Sequence, residues 1–159
     1  MSTEWIDQQN EVNQRLVAES EAQIQQAIDT STRIANQSGD VFQRFLRELK
    51  QNTDALPRLV GEELSGSMSP FGATSCQVNV TWSNIRYGPN VISWNFHFSQ
   101  EGIRLVIIGQ PDRLFHFRLN HKGEAGIGYG DDVVTPESMA ELTVKKMREL
   151  ARTPSQSYV

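Results

Sequence analysis

The spacing of apolar residues changes about halfway along the chain, and this change constrains the fold more than any other feature. From Ser2 to Leu56 there is no proline and one glycine, and apolar residues recur every three or four positions, which is typical of α-helix. Further on, Val78, Val80 and Trp82 alternate with polar residues, which is typical of a half-buried β-strand. The sequence therefore predicts a helical N-terminal part followed by a sheet.

The helical part, residues 1–64, carries one line of apolar residues, with few large side chains before residue 36 and more after residue 40. Its members are Val17, Ile24, Ile28, Ala35, Phe42, Phe45, Leu46 and Leu49. The sequence Ser38-Gly39-Asp40 predicts a break between two helices, with Asp40 as the N-cap of the second. A single kinked helix is the alternative, because an interior glycine costs only about 1 kcal/mol. A short third helix is predicted after Pro57.

The next segment, residues 65–75, is small, polar and interrupted by Pro70 and Gly72, so we interpret it as a linker. Four alternating segments then follow between short turns, and turns this short force neighbouring strands to run antiparallel. A fifth strand is predicted around Ile127, and a slip in the alternation predicts a β-bulge near Ser83 and Asn84.

A closing helix is predicted from Thr135-Pro136, a favoured N-cap and first-turn pair, to about Arg152. Its apolar side would cover the aromatic face of the sheet with Met139, Leu142, Met147 and Leu150, with Thr143 among them and Val144 at the edge. The predicted fold is a single α+β domain in which N-terminal helices precede a four- or five-stranded antiparallel meander covered by a C-terminal helix. The meander and closing helix would span residues 76–152, and a flexible tail would span 153–159.

Composition narrows the environment of the protein. No apolar run approaches the roughly 20 residues of a membrane-spanning helix, so we expect no membrane partner. The N-terminal residues are polar and acidic, unlike a secretory signal. Cys76 is the single cysteine, so one chain forms neither an internal disulfide nor a cysteine-based zinc site. These features predict a cytoplasmic protein.

Charge is distributed unevenly. Residues 1–66 hold 11 acidic and 6 basic side chains, whereas residues 76–122 hold two acidic side chains against five basic ones. The helical part is therefore acidic and the sheet mildly basic. We interpret the two as ordinary solvated surfaces, and the alternative is a sheet face that binds an anion.

Four polar residues on the sheet are candidate ligand-binding groups: His97, His116, Arg104 and Arg118. A predicted strand separates the two histidines by roughly 10 Å, too far to share one metal ion. No nucleophile accompanies either histidine, and the glycines of GIGYGDD depart from the phosphate-binding pattern because an aspartate takes the last glycine position. We predict no catalytic residue, metal or cofactor.

The sheet is rich in aromatic residues with basic residues between them, as in proteins that stack single-stranded nucleic acid. The aromatic residues all fall in the apolar register of their strands, where a covering helix would bury them. Nucleic acid is therefore not the expected partner.

Because no catalytic constellation is present, the sequence favours a non-enzymatic interaction, adaptor or chaperone-like protein. Its partner would be another protein or a second copy of this chain, held through the N-terminal helices by Ile24, Ile28, Phe42 and Phe45. The alternative is a small-ligand-binding protein or enzyme with its polar site around His97 and His116 on the sheet face.

Overall fold

The computed structural model describes residues 2–83 and 88–153. One long helix, α1 (Glu4–Ala55), is followed by a 3-10 turn at Leu56–Arg58. Seven strands and a second helix complete the fold: β1 (Leu64–Pro70), β2 (Ser75–Trp82), β3 (Asn90–Phe98), β4 (Gly102–Val106), β5 (Arg113–Leu119), β6 (Ala125–Tyr129), β7 (Asp132–Val134) and α2 (Pro136–Arg152). The predicted β-bulge at Asn84 and the tail from residue 154 lie outside the described residues.

The seven strands form one antiparallel sheet in which spatial order equals chain order. The predicted α+β class is confirmed: a helix precedes an antiparallel sheet, and a second helix follows it. The predicted number of strands was too low. β6 is the expected fifth strand, whereas β1 and the three-residue β7 were not expected.

Strand β1 occupies most of the segment that we interpreted as a linker. It pairs with β2 along its whole length, from Leu64 opposite Trp82 to Pro70 opposite Cys76. A Cβ atom on Gly66 would lie 2.9 Å from Leu56 Cδ1 and 3.0 Å from the Thr53 carbonyl oxygen. The strand is poor in large side chains because the last turn of α1 lies directly against it.

The predicted break at residues 38–40 is wrong, because α1 is one continuous helix of 52 residues that includes Gly39. Gly39 is exposed, but Ser38 and Val41 on either side are buried against the rest of the protein. Packing on both sides of the glycine offsets its cost of about 1 kcal/mol. The predicted third helix is reduced to the three-residue turn at Leu56–Arg58.

Helix α2 begins and ends where the sequence predicts. The Thr135 hydroxyl accepts a hydrogen bond from the Ser138 backbone N–H at 3.1 Å, and Pro136 occupies the first turn. Its buried face agrees in part with the predicted one: Met139, Thr143, Val144 and Met147 are buried, whereas Leu142 and Leu150 are 41% and 38% exposed. The buried residues are Pro136, Met139, Ala140, Thr143, Val144, Met147 and Ala151, and the two alanines allow close packing beneath the helix.

Both helices pack on one face of the sheet, which we call the inner face. The ring of Phe42 lies 5.1 Å from that of Phe98, and Phe45 meets Phe96 edge to face at 5.3 Å. Two sets of ion pairs hold the helices in place on this face, and the first joins the two helices to each other. Arg44 on α1 donates two hydrogen bonds of 2.9 Å to Glu137 at the start of α2.

The second set of ion pairs joins α2 to the chain just before β1. Arg148 and Arg152 both donate to the carboxylate of Glu62, with Arg152 Nη1 at 2.6 Å from Glu62 Oε1. The hydrogen bond from Arg148 lowers the pKa of Glu62 below its ordinary value, although partial loss of solvent opposes this shift. The hydrogen bond from Arg44 lowers the pKa of Glu137 in the same way.

Candidate interaction surface on the N-terminal helix

The first 30 residues of α1 extend beyond the sheet. All of residues 2–29 are exposed, and contact with the sheet begins near Gln37. The Gln37 side chain accepts a hydrogen bond from the Ala125 backbone N–H at 2.8 Å and donates one to the Gly123 carbonyl at 3.4 Å. We call residues 4–33 the arm and the remainder of the described chain the head. At 1.5 Å per residue, the arm is about 45 Å long.

Seven large apolar side chains of the arm are 41–67% exposed. We call them the stripe: Trp5, Ile6, Val12, Leu16, Val17, Ile24 and Ile28. At about 100° per residue, their mean direction around the helix lies within roughly 20° of that of the residues α1 buries in the head. The stripe therefore continues, along the same face of α1, the surface that the head covers from residue 38 onward.

Between the large side chains, the stripe contains small or polar residues. Ser20 lies midway along the arm and points along the centre of the stripe, and Ala27 and Ser31 lie near the same line. The arm holds six acidic and two basic side chains, and hydrogen bonds from Gln9 to Asn13 and from Gln25 to Asp29 run along its surface. An isolated helix of this composition is marginally stable in water, so packing of the stripe would stabilise it.

The four predicted interaction residues fall into two groups. Ile24 and Ile28 belong to the exposed stripe, with 57% and 53% of their surface accessible. Phe42 and Phe45 are core residues of the head, 1% and 0% exposed, because the sheet covers that part of the same helical face. Phe42 and Phe45 therefore offer no surface to a partner in this fold.

Four residues of the stripe nearest the start of α1 were not predicted from the sequence. They are Trp5, Ile6, Val12 and Leu16. Ile6 lies in the same direction around the helix as Val17 and Ile24, so the same periodicity could have identified it, whereas Trp5, Val12 and Leu16 form a separate line about 100° away.

The four predicted ligand-binding residues share the outer face of the sheet, opposite the helices. His97 lies directly across from Arg104, while His116 lies across from Gly102. Strand β4 separates the two histidines. His97 Nδ1 is 2.8 Å from Ser75 Oγ, and Arg104 Nη1 is 3.8 Å from an oxygen of Asp112.

The fourth residue of this set is farther along the same face. Arg118 lies across from Gly126, and its Nη1 donates a 3.0 Å hydrogen bond to the Gly130 carbonyl. The Arg118 side chain lies over Gly128, where an added Cβ would be 3.0 Å from Nε. The structure therefore brings His97 and Arg104 together and directs Arg118 toward the β6–β7 turn.

A small cavity of about 60 Å³ lies between the inner face of the sheet and α2. Its lining includes Phe115 and Met139, with the cationic side chains of Arg113 and Lys146 among them. None of the four predicted ligand-binding residues lines it, because they project from the other face. A space of this size holds a few water molecules at most.

Cys76 is fully buried on β2. Burial raises the pKa of its thiol to about 12, against the opposing effect of a backbone hydrogen bond from Phe96. The thiol is therefore protonated at neutral pH, and this removes its nucleophilic character. Within residues 2–83 and 88–153, no three His, Cys, Asp or Glu side chains are grouped closely enough to hold a metal ion.

Neither helix of the described chain combines the length and apolar character that crossing a membrane requires. The chain matches no protein-family profile, no curated protein sequence and no solved structure.

Proposed function

We propose that this chain is a non-enzymatic interaction or adaptor protein, chaperone-like in size and charge, that self-associates through its arm. The observation that supports this is the stripe: seven large apolar side chains, each about half exposed, on a helix about 45 Å long. Monomeric soluble proteins rarely expose an apolar surface this extended, and such surfaces commonly bind other proteins. A lone buried Cys76 suits a reducing compartment such as the cytoplasm.

A second copy of the arm is the occupant that fits the stripe. At about 100° per residue the stripe forms two lines, with Trp5, Val12 and Leu16 on one side of the direction of Ser20 and Ile6, Val17, Ile24 and Ile28 on the other. The side chains of another helix can pack into the groove between these lines. A strip about 45 Å long and 10 Å wide on each partner gives a combined footprint of roughly 900 Å², which is below the roughly 1,200 Å² of stable specific interfaces and in the range of weak, transient ones. We therefore expect a dimer that dissociates on dilution.

The test is sedimentation velocity of the full chain over a dilution series from roughly 1 to 100 µM, the range in which weak dimers dissociate. The wild-type protein is expected to shift from dimer to monomer on dilution. The double variant Ile24→Glu, Ile28→Glu is expected to be monomeric throughout, because it places four carboxylates in the contact. A matched variant, Gln25→Glu with Gln26→Glu, adds the same charge away from the stripe and is expected to dimerise.

Two results would oppose the proposal. A wild-type protein that is monomeric at the highest concentration would remove self-association. Equal dimerisation of the two double variants would show that the contact lies elsewhere than the stripe.

A second candidate is a small-ligand-binding protein or enzyme that uses the outer face of the sheet. It is favoured by the direct cross-strand pairing of His97 with Arg104 and by the presence of His116 on the same face. Titration with inorganic phosphate, followed by NMR shifts of the histidine rings, tests it. If His97→Ala and His116→Ala leave phosphate binding and every measured activity unchanged, this candidate loses its main residues.

A further inference from the structure

We propose that two arms pair antiparallel along their whole length, with the two-fold axis at Ser20. This inference rests on the proposed self-association and specifies its geometry. In this arrangement residue i of one arm lies level with residue 40 − i of the other, so Ser20 faces its own copy. Three features of the described chain lead to it: the side on which the head sits, the length of the free arm, and the order of side chains along the stripe.

The position of the head determines the direction of pairing. Beyond residue 37 the head lies on the same side of α1 as the stripe, because Val41, Phe42 and Phe45 face the sheet along the same line. Two parallel arms that met through their stripes would bring both heads to the same place between the helices. Antiparallel arms place the heads at opposite ends, where each head lies beyond the tip of the other arm.

The length of the free arm limits the register. Hydrogen bonds between α1 and the head begin at Gln37, which is bonded to Gly123 and Ala125 at the turn between β5 and β6, and one turn earlier Ile34 already packs at the edge of the head core. A partner helix on the stripe can therefore extend only as far as Asn36. With Glu4 of the partner level with Asn36, the two arms overlap as far as the heads allow. This limit places the midpoint of the overlap at Ser20.

The order of side chains along the stripe agrees with the same register. Leu16 of one arm lies level with Ile24 of the other, and Ile6 lies level with Ile34. Ile34 is half buried at the edge of the head core, so the N-terminal end of the partner's arm would bury the exposed part of its side chain. At the axis, Ser20 faces Ser20, and a small residue there allows the two helix backbones to approach closely.

The charged residues agree with close approach. All six acidic side chains of the arm lie about 100° or more from the centre of the stripe, at about 100° per residue along the helix. The centre of the contact therefore holds no carboxylate, and the nearest ones are Glu19 and Glu21, which flank Ser20 at the two edges of the contact. Gln9 lies level with Ser31 and Asn13 with Ala27, so polar amides have room beside small residues.

Cysteine cross-linking of the full chain tests direction and register together. At an interaxial distance of 8–10 Å, two Ser20 Cα atoms that face each other lie roughly 3.4–5.4 Å apart, and the upper part of this range suits a disulfide. Leu16 and Ile24 of opposite arms are similarly close. Two Leu16 residues would be more than about 12 Å apart, since they lie eight residues apart along the pair.

Four single variants are compared under mild oxidation: Ser20→Cys, Leu16→Cys, Ile24→Cys and, as a control on the back of the arm, Gln25→Cys. We expect Ser20→Cys alone, and Leu16→Cys mixed with Ile24→Cys, to give at least fivefold more covalent dimer than Gln25→Cys. Leu16→Cys alone and Ile24→Cys alone should match the control. The native Cys76 is buried, so it does not contribute.

The outcomes separate this inference from the function on which it rests. Strong cross-linking of Leu16→Cys with itself would indicate parallel arms and would overturn the geometry while leaving self-association intact. A dimer in sedimentation that gives no cross-link above the control would overturn the register. A monomer in sedimentation would overturn both proposals.

Discussion

Replacement of Ile24 by alanine gives the most direct measure of what the stripe contributes. The Ile24 side chain is 57% exposed in one chain and lies in the middle of the arm, far from the head core. The substitution removes three carbon atoms and adds no charge. Alanine has a higher helix propensity than isoleucine, so the arm is not weakened as a helix.

The expected loss follows from the surface still available for burial. Three carbons at about 0.8 kcal/mol each contribute about 2.4 kcal/mol when fully buried. Scaling by the 57% that remains exposed leaves about 1.4 kcal/mol per chain, and a two-fold dimer contains the residue twice. The upper estimate is about 2.7 kcal/mol, which corresponds to a roughly 90-fold weaker dimer.

Sedimentation equilibrium of the wild type, Ile24→Ala and a control, Gln26→Ala, measures the dissociation constant directly. Gln26 is exposed on a different side of the arm, so its replacement tests the effect of helix propensity alone. The midpoint of thermal unfolding of the head should be the same in all three proteins. A dissociation constant for Ile24→Ala within threefold of wild type would refute the argument that the stripe drives association.

Three further predictions concern the head. Gly66→Val should lower the free energy of unfolding by about 1–3 kcal/mol in urea titration, because its Cβ would press on Thr53; a variant as stable as wild type would contradict the close packing of β1. Cys76 should remain unmodified by a thiol reagent at pH 8 and react once urea unfolds the chain; reaction in the native state would contradict its burial. Because Glu62 and Glu137 have lowered pKa values when folded, their contribution is present above about pH 4.3 and is lost as the pH falls below it. Thermal midpoints should therefore decrease on acidification, and less so in Glu62→Gln, whereas equal slopes would argue against the ion pair.

Periodicity was enough to predict the order of helix and sheet, and the Thr135-Pro136 pair was enough to predict the start of α2, because both signals are local. It failed where tertiary packing decides. The break expected at Gly39 does not form, since Ser38 and Val41 are held on both sides. Strand β1 was missed because its residues are small, and a run of small residues is also typical of a linker. Residue 66 is a glycine because Thr53 packs directly against it.

The candidate surface was only partly predictable for a related reason. Ile24 and Phe45 occupy the same helical face, and periodicity does not reveal where the sheet stops covering that face. The boundary depends on Gln37, whose partners in the turn after β5 are 86 and 88 residues away. A contact over such a sequence distance leaves no pattern in the neighbouring residues.

The unbroken course of α1 through Gly39 sets a distance as well as a direction. In an antiparallel pair centred on Ser20, the points where the two sheets sit on α1, near residue 46, would be about 80 Å apart at 1.5 Å per residue. Such a pair would hold two copies of every head surface at a fixed distance from each other. A ligand with two matching sites at that separation would bind both heads at once and gain avidity, whereas a ligand with one site would not.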